Sequence, residues 1–368
     1  MSAMNGLAAS SRRMTGCLVV LALLASALFA SSANAMKTTK PTAYVALGDS
    51  ISFGYKQKTF IKNQENNAAA CAKHEQAACE PPASFEPGFV GDFGKELAKA
   101  EKAAGNTLTT FNLGCPGETS GGLIGNGPLG SGIEALRASK SEFSLHLSAP
   151  CGYHNVDGFS LKTEQGPVSE LEFAVGLLKA GVHISAVTIQ IGSNDELASI
   201  AQCENPAYDA EQGFKNGFKE CVEVEVSLAG HQYPGGLFTH ILTNIGVSIG
   251  TLRNFGYTGP VAVLGFYNPN ALELPGSDAL QEALNGELEK TVAEGAYGPG
   301  VAVAPIMNTF NPGHGVEMNF AEEKRAICKF TEECNKFDKE KTGKGDIHPT
   351  KRGYKIMAEA IAKAFSTL

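Results

Sequence analysis

The feature that most constrains the fold is an alternation of short apolar runs with longer helical patterns. The short runs are rich in β-branched residues and predict strands over residues 43–47, 108–113, 186–191, 261–266 and 301–306. The longer patterns predict helices over residues 91–105, 168–181, 237–256, 276–294 and 351–365. Strands that alternate with helices form a parallel sheet covered on both faces. The sequence therefore predicts an α/β fold with a central parallel sheet of about five strands.

Two long segments interrupt this alternation. Residues 56–86 are polar, residues 118–166 begin with many glycines, and neither segment has a strand or helix pattern. Loops of this length inside a compact domain are usually functional or disordered. We predict loop insertions near 56–86 and 118–166 that form the rim or the lid of a site.

The N-terminal segment has the organisation of an export signal. A basic pair at 12–13 precedes a short apolar core at 17–30, and residues 33–35 (ANA) form the small-x-small pattern that signal peptidases cut after. The apolar core is shorter than a typical membrane span, so a signal anchor is the less favoured alternative. We predict a signal peptide over 1–35 and a mature domain over 36–368. That domain is expected to be secreted, either extracellular or, behind an outer membrane, periplasmic.

The charge balance is acidic. The chain carries a formal net charge of −8, and the arginine pair would be lost with the signal peptide. An acidic surface argues against a nucleic-acid partner and against attachment to an anionic membrane surface. We expect a monomer with no nucleic-acid partner and no stable membrane anchor.

The cysteines agree with export. The chain has nine, and only Cys17 lies in the predicted signal segment. An even number in an exported chain indicates disulfides, and the chain contains no C-x-x-C pattern typical of zinc or thioredoxin-like sites. Connectivity does not follow from spacing, and our expectation pairs sequence neighbours. These pairs are Cys71 with Cys79, Cys115 with Cys151, Cys203 with Cys221, and Cys328 with Cys334.

Small and polar residues follow the predicted strands. Ser50 comes after the first strand, Gly117 after the second and Asn194 after the third, while Asp346 and His348 directly precede the last helix. The carboxyl ends of parallel strands meet at one edge of a sheet, so we expect these residues on neighbouring loops there. Acyl transfer requires a nucleophile, a base that takes its proton and hydrogen-bond donors for the developing oxyanion. This set of residues meets that requirement.

The segments around these residues resemble the conserved blocks of the GDSL, or SGNH, hydrolases. In chain order they are GDS (48–50), FNLGCPGETSGG (111–122), TIQIGSNDE (188–196) and GDIHPTKRGY (345–354). The version NLGCPGETS is especially similar to that of secreted bacterial esterases and lipases of this family. The resemblance implies a flavodoxin-like three-layer α/β/α sandwich. It also implies a serine hydrolase of carboxylic esters that uses neither a cofactor nor a metal.

The resemblance assigns roles by motif. Ser50 would be the nucleophile, and His348 would act as general base and then as the acid that protonates the leaving alcohol. The amides of Ser50 and Gly117 and the side chain of Asn194 would form the oxyanion hole. One departure is notable: the usual last block is Asp-x-x-His-Pro, whereas here Asp346 is only two residues before His348. Residues two apart in an extended segment point to the same side, so Asp346 could orient the imidazole. A backbone carbonyl could do so instead, which would leave a Ser50–His348 dyad.

The sequence leaves the substrate open. A small-molecule, lipid or glycan ester is expected, and a carbohydrate O-deacetylase or an acyltransferase would use the same machinery. A non-catalytic extracellular binding protein is a further alternative, although the complete set of motif residues argues against it. Asp195 is interpreted as a turn residue and His240 as a packing residue, without chemical roles.

Overall fold

The computed structural model describes residues 40–62, 86–124, 162–163, 166–167, 169–213, 217–226, 230, 233, 235–272, 274, 277–313 and 320–368. The compact unit of the chain runs from Pro41 to Leu368. The predicted signal peptide and most of both predicted loop insertions lie outside the described residues.

The strands are, in chain order, β1 Lys40–Gly48, β2 Asn106–Asn112, β3 Lys162–Thr163, β4 Gly166–Pro167, β5 His183–Gln190, β6 Val261–Leu264, β7 Val301–Ala304, β8 Thr331–Glu332 and β9 Asp346–Pro349. The helices are α1 Ser50–Phe53, α2 Gly88–Ala103, α3 Ser120–Leu123, α4 Glu170–Lys179, α5 Ser193–Cys203, α6 Pro206–Gln212, α7 Phe218–Val226, α8 Leu237–Asn254, α9 Asp278–Ala293, α10 Met307–Phe310, α11 Phe320–Phe330, α12 Lys336–Thr342 and α13 Lys351–Phe365.

Five strands form a central sheet in the order β2-β1-β5-β6-β7. The pairs β1–β5, β5–β6 and β6–β7 are parallel. Counted along the central sheet alone, this is the 2-1-3-4-5 order of flavodoxin-like folds. The order reverses between β1 and β5, and such a switch point opens a crevice at the carboxyl ends of the strands. The predicted fold class is therefore confirmed.

Both faces of the sheet are buried, because alternate residues of β1 point to opposite layers. Val45 and Leu47 pack in a core cluster with side chains of α4, α8 and α9, among them Ile241. Tyr44 and Ala46 pack in a second cluster with side chains of α2 and α13. The helices on the two faces make the molecule a three-layer α/β/α sandwich.

All five predicted strands and all five predicted helices are present, with small differences at their ends. Eight further helices among the described residues were not predicted. Three of them, α1, α3 and α10, have only four residues each, and in α5, α6, α7, α11 and α12 the apolar positions are few and interrupted by charges. None of the helices in the described ranges combines the length and the apolar character needed to cross a bilayer.

Two of the expected disulfides are present. Cys203 of α5 bonds to Cys221 of α7, with their Cα atoms 5.5 Å apart. Cys328 of α11 bonds to Cys334, with a Cα separation of 5.0 Å. Cys115 is buried. Its expected partner Cys151 and the expected pair Cys71–Cys79 lie outside the described residues.

Candidate active site

Ser50 lies at a sharp turn between β1 and α1. Gly48 ends β1 with φ +151°, and a Cβ at this position would collide with the backbone carbonyl oxygen of Gln190. Asp49 then caps α1, because its Oδ1 accepts a hydrogen bond from the Ile51 amide at 2.9 Å. The sequence predicts Ser50 on a loop, but the Asp49 cap makes it the first residue of the short helix α1. Its backbone amide belongs to the first turn, where helix amides lack an intrahelical acceptor.

Asp49 is fully buried beneath this turn. Burial raises the pKa of Asp49 to about 7, and hydrogen bonds from the Ile51 amide and the Gln190 side chain oppose that rise. The Gln190 Nε2 donates to Asp49 Oδ2 at 3.2 Å, which ties the turn after β1 to the end of β5. Asp49 thus anchors the turn that presents Ser50.

His348 lies between Ser50 and Asp346. Its Nε2 is 2.8 Å from the Ser50 Oγ, and its Nδ1 is 2.6 Å from Asp346 Oδ1. Asp346 and His348, which the sequence also predicts on a loop, belong to the short strand β9, and β9 pairs with β8. The extended backbone places both side chains on one side, which allows a carboxylate two residues before the histidine to reach its ring.

The hydrogen bonds around Asp346 favour its charged form. Burial alone would raise the pKa of Asp346, but the positive charge and ring N–H of His348, together with two backbone amides, hold that pKa below its usual value. The amides belong to His348, at 3.0 Å from Oδ1, and to Gln57, at 2.9 Å from Oδ2. A carboxylate that accepts several N–H groups is stabilised as the anion.

Three N–H groups suited to an oxyanion lie on neighbouring segments. Gly117 adopts φ +80°, a conformation that favours glycine, in the turn after β2. Asn194 lies in the first turn of α5 and is buried. Its Nδ2 donates one hydrogen bond to the Glu118 carbonyl at 2.8 Å, which leaves the second N–H of the amide. The Ser50 and Gly117 amides have no acceptor among the described residues.

Sequence reasoning missed two residues that shape the site. The ring of Tyr55 packs against the His348 ring with centroids 4.6 Å apart. Gln57 donates its amide to Asp346. Both follow Ser50 within a few residues and contact residues of β9. No sequence pattern marks these contacts, because they form only when the two segments pack together.

A cavity of about 50 Å³ is lined by residues that adjoin the site residues in sequence and by none of the site residues themselves. Its wall includes the chain neighbours of three site residues: Ile51, Ser193 and Ile347. Glu196 and Gln281 lie on the same wall, with Gln281 Nε2 donating to Glu196 Oε2 at 2.5 Å. Burial raises the pKa of Glu196 to about 8. The cavity is larger than the space that one water molecule needs.

The order of the segments and the contact of Ser50 with His348 agree with one family. A family profile described as GDSL-like Lipase/Acylhydrolase matches residues 44–361. The chain belongs to this family. It is accordingly a carboxylic ester hydrolase.

Several solved structures resemble this GDSL-like chain. The lipase Lip_vut3 from a goat rumen metagenome is 15% identical, with 88% of this chain and 97% of that chain covered and a TM-score of 0.41. LAE5, an α/β hydrolase enzyme from the metagenome of Lake Arreo, is 13% identical, with coverages of 90% and 98% and a TM-score of 0.41. Axe2, an acetylxylan esterase from Geobacillus stearothermophilus, is 14% identical, with coverages of 90% and 96% and a TM-score of 0.38. No curated protein matches the chain.

Proposed function

We propose that this hydrolase cleaves esters through an acyl-enzyme formed on Ser50. The observation that carries the proposal is the chain of two short contacts from Ser50 Oγ through the His348 ring to Asp346. A serine hydroxyl is a weak nucleophile at neutral pH, and a base within hydrogen-bond reach is the usual means of activating it.

In the first half of the reaction, Ser50 Oγ attacks the acyl carbon while its proton passes to His348 Nε2. The Nδ1–H of the ring donates to Asp346, which fixes the tautomer in which Nε2 accepts. Asp346 then stabilises the imidazolium that forms. The pKa of Asp346 is lowered, so its carboxylate carries a negative charge at neutral pH. The imidazolium protonates the leaving alcohol.

The negative charge that develops on the carbonyl oxygen is taken up by the Ser50 amide, the Gly117 amide and the Asn194 Nδ2. One donor of this kind is typically worth about 3–4 kcal/mol in the transition state. In the second half, a water molecule loses its proton to His348 and attacks the acyl carbon. The bond from the acyl carbon to Ser50 Oγ then breaks and the imidazolium returns the proton to Oγ, which releases the acid and restores the serine.

We also propose that the enzyme acts outside the cytoplasm. The apolar N-terminal segment and the two disulfides of the described residues support this assignment. Thiol titration of denatured, unreduced protein recovered outside the cell checks it, with few or no free thiols expected.

The substrate is proposed to be a carboxylic ester of a small molecule, a lipid or a glycan, in line with the family match. Hydrolysis rates over a series of esters with increasing acyl length check this assignment.

The mechanism is tested by replacing the nucleophile. Ser50→Ala should remain folded, lose ester hydrolysis and lose labelling by a fluorophosphonate, because no covalent intermediate can form. Ser52→Ala is the matched control, since Ser52 belongs to the same short helix but its hydroxyl donates to the Leu47 carbonyl at 3.3 Å. Hydrolysis by Ser50→Ala near the wild-type rate would contradict the proposal.

A further inference from the structure

We propose that Asp195 and Ser120 form a positioning pair that holds the donors of the oxyanion hole at their working separation. The proposal rests on the acyl-enzyme mechanism above. It concerns residues that contact neither the nucleophile nor the base.

The pair joins two segments that are distant in sequence. Asp195 follows Asn194 in the first turn of α5, and Ser120 begins α3, shortly after Gly117. Asp195 Oδ2 accepts the Ser120 amide at 2.8 Å, and Oδ1 accepts the Ser120 hydroxyl at 2.8 Å. One carboxylate therefore binds both donors of Ser120.

A separate contact closes the same junction from the other side. Asn194 Nδ2 donates to the carbonyl of Glu118 at 2.8 Å. The turn that carries the Gly117 amide is thus held to the start of α5 by the Asn194 amide and by the Asp195 carboxylate. These hydrogen bonds set the distance between two of the oxyanion donors, the Gly117 amide and the Asn194 Nδ2. A misplacement of about 1 Å can cost about 100-fold in rate.

The surroundings of Asp195 argue that the carboxyl is present for geometry rather than for stability. Asp195 is buried, and burial raises its pKa to about 7, although both hydrogen bonds from Ser120 oppose that rise. His240 Nε2 lies 3.7 Å from Asp195 Oδ1, and burial lowers the pKa of His240. A buried carboxyl without a charged partner is unfavourable for folding compared with an apolar residue.

Further polar contacts keep Ser120 in place. Asn244 Nδ2 donates to the Ser120 Oγ at 3.0 Å and lies 3.1 Å from His240 Nε2. The ring of Tyr233 packs on His240 with centroids 4.7 Å apart. Asp195 and His240 therefore belong to one polar network, which adds hydrogen-bonding partners to the turn and packing roles expected from the sequence.

Asp195→Asn is the principal test. An asparagine offers one oxygen and one NH₂ group, so it cannot accept both donors of Ser120. We expect kcat to fall about 10–100-fold with KM nearly unchanged, because the lost alignment matters most in the transition state. Affinity for a boronic acid, which forms a tetrahedral adduct on the serine, should fall by a similar factor.

Ser120→Ala supplies a second variant. It removes the hydroxyl contact but keeps the amide contact, so we expect a decrease in kcat of about fivefold. The double variant should be no slower than Asp195→Asn alone, since both changes act on the same junction. If Asp195→Asn does not fold, Ser120→Ala decides the question by its kcat and boronic acid affinity.

Glu225→Gln is the matched control for loss of a buried carboxylate, since Glu225 of α7 accepts a hydrogen bond from the Tyr208 hydroxyl at 2.7 Å. It should change thermal stability but leave kcat near that of the wild type. A wild-type kcat and boronic acid affinity in Asp195→Asn or Ser120→Ala would overturn the positioning role while Ser50→Ala remains inactive. Activity of Ser50→Ala would instead overturn the mechanism itself.

Discussion

Two buried carboxyls near Ser50 have opposite electrostatic environments. Burial raises the pKa of Asp49 to about 7, whereas at Asp346 the charge of His348 and the surrounding N–H groups outweigh burial and hold the pKa of Asp346 below its usual value. Of the two, only Asp346 contacts the His348 ring. At the scale of the residue, contact with the His348 ring distinguishes the two carboxyls, because both are buried and both accept hydrogen bonds.

Asp346→Asn tests whether the carboxylate or a backbone group supports the imidazole. We expect kcat to fall by more than tenfold, because the imidazolium would lose the negative charge that stabilises it. Measurement of kcat and of kcat/KM between about pH 4 and pH 9 checks this loss and compares the acid limb of the variant with that of the wild type.

Asp338→Asn is the control for this variant. Asp338 is buried nearby, its pKa is raised by burial to about 6, and it makes no hydrogen bond to the ring. Its replacement should alter the acid limb only slightly and leave kcat near that of the wild type. A near-normal rate and profile in Asp346→Asn would instead indicate that Ser50 and His348 act as a dyad.

At the scale of the element, the position of the site depends on the first turns of two helices, α1 and α5. The short helix α1 begins after the Asp49 cap, and the first turn of α5 carries Asn194 and Asp195, whose side chains bind the turn after β2. The far end of α5 is bonded to α7 through Cys203 and Cys221. α5 is therefore held at both ends.

The two disulfides should differ in their contribution to stability. Their sequence separations are 18 for Cys203–Cys221 and 6 for Cys328–Cys334. In the loop-entropy description the first should contribute about 3 kcal/mol to the free energy of unfolding and the second about 1 kcal/mol less. Urea denaturation of the two double Cys→Ala variants measures the difference. A larger loss for the Cys328–Cys334 variant would contradict this expectation.

At the scale of the whole molecule, buried acids couple stability to pH. Burial raises the pKa of Asp49 and Asp195 to about 7 and that of Glu196 to about 8. Unfolded carboxyls ionise near about pH 4. Between about pH 4 and pH 8 the folded state therefore retains protons that the unfolded state releases.

The sign of this coupling gives a prediction. The contribution of these groups to stability is fully present below about pH 4 and is lost as the pH rises through about 7–8. Each such carboxyl lowers the free energy of unfolding by about 1.4 kcal/mol per pH unit inside this window. Asp346 acts in the opposite direction, and its contribution is lost when the pH falls through its lowered pKa.

Glu196→Gln should reduce the pH dependence of the free energy of unfolding by the contribution of one carboxyl, because a glutamine side chain does not titrate. Urea denaturation at a series of pH values between about 5 and 8 measures the slope. Glu289→Gln, at an exposed position of α9, is the control and should leave the slope unchanged. A slope that does not change in Glu196→Gln would mean that Glu196 is ionised in the folded protein at neutral pH.

The sequence alone determined the order of the main strands and helices along the chain and the positions of the main candidate site residues between them. Alternating apolar runs specify strands and helices locally, and Ser50, Gly117, Asn194 and His348 each follow or precede such an element at short range. Connections in a parallel sheet then bring the strand ends to one edge, so the neighbourhood of these residues could be expected from topology.

Only the tertiary structure decided how those residues touch. The contact of Asp346 with the ring depends on the extended path of β9, and the Gln57 amide reaches that carboxylate across a separation of 289 residues. The junction of Asp195 with Ser120 likewise joins residues 75 apart. Such contacts depend on which backbone segments pack side by side, and local periodicity carries no information about distances between segments that meet only when the chain is folded.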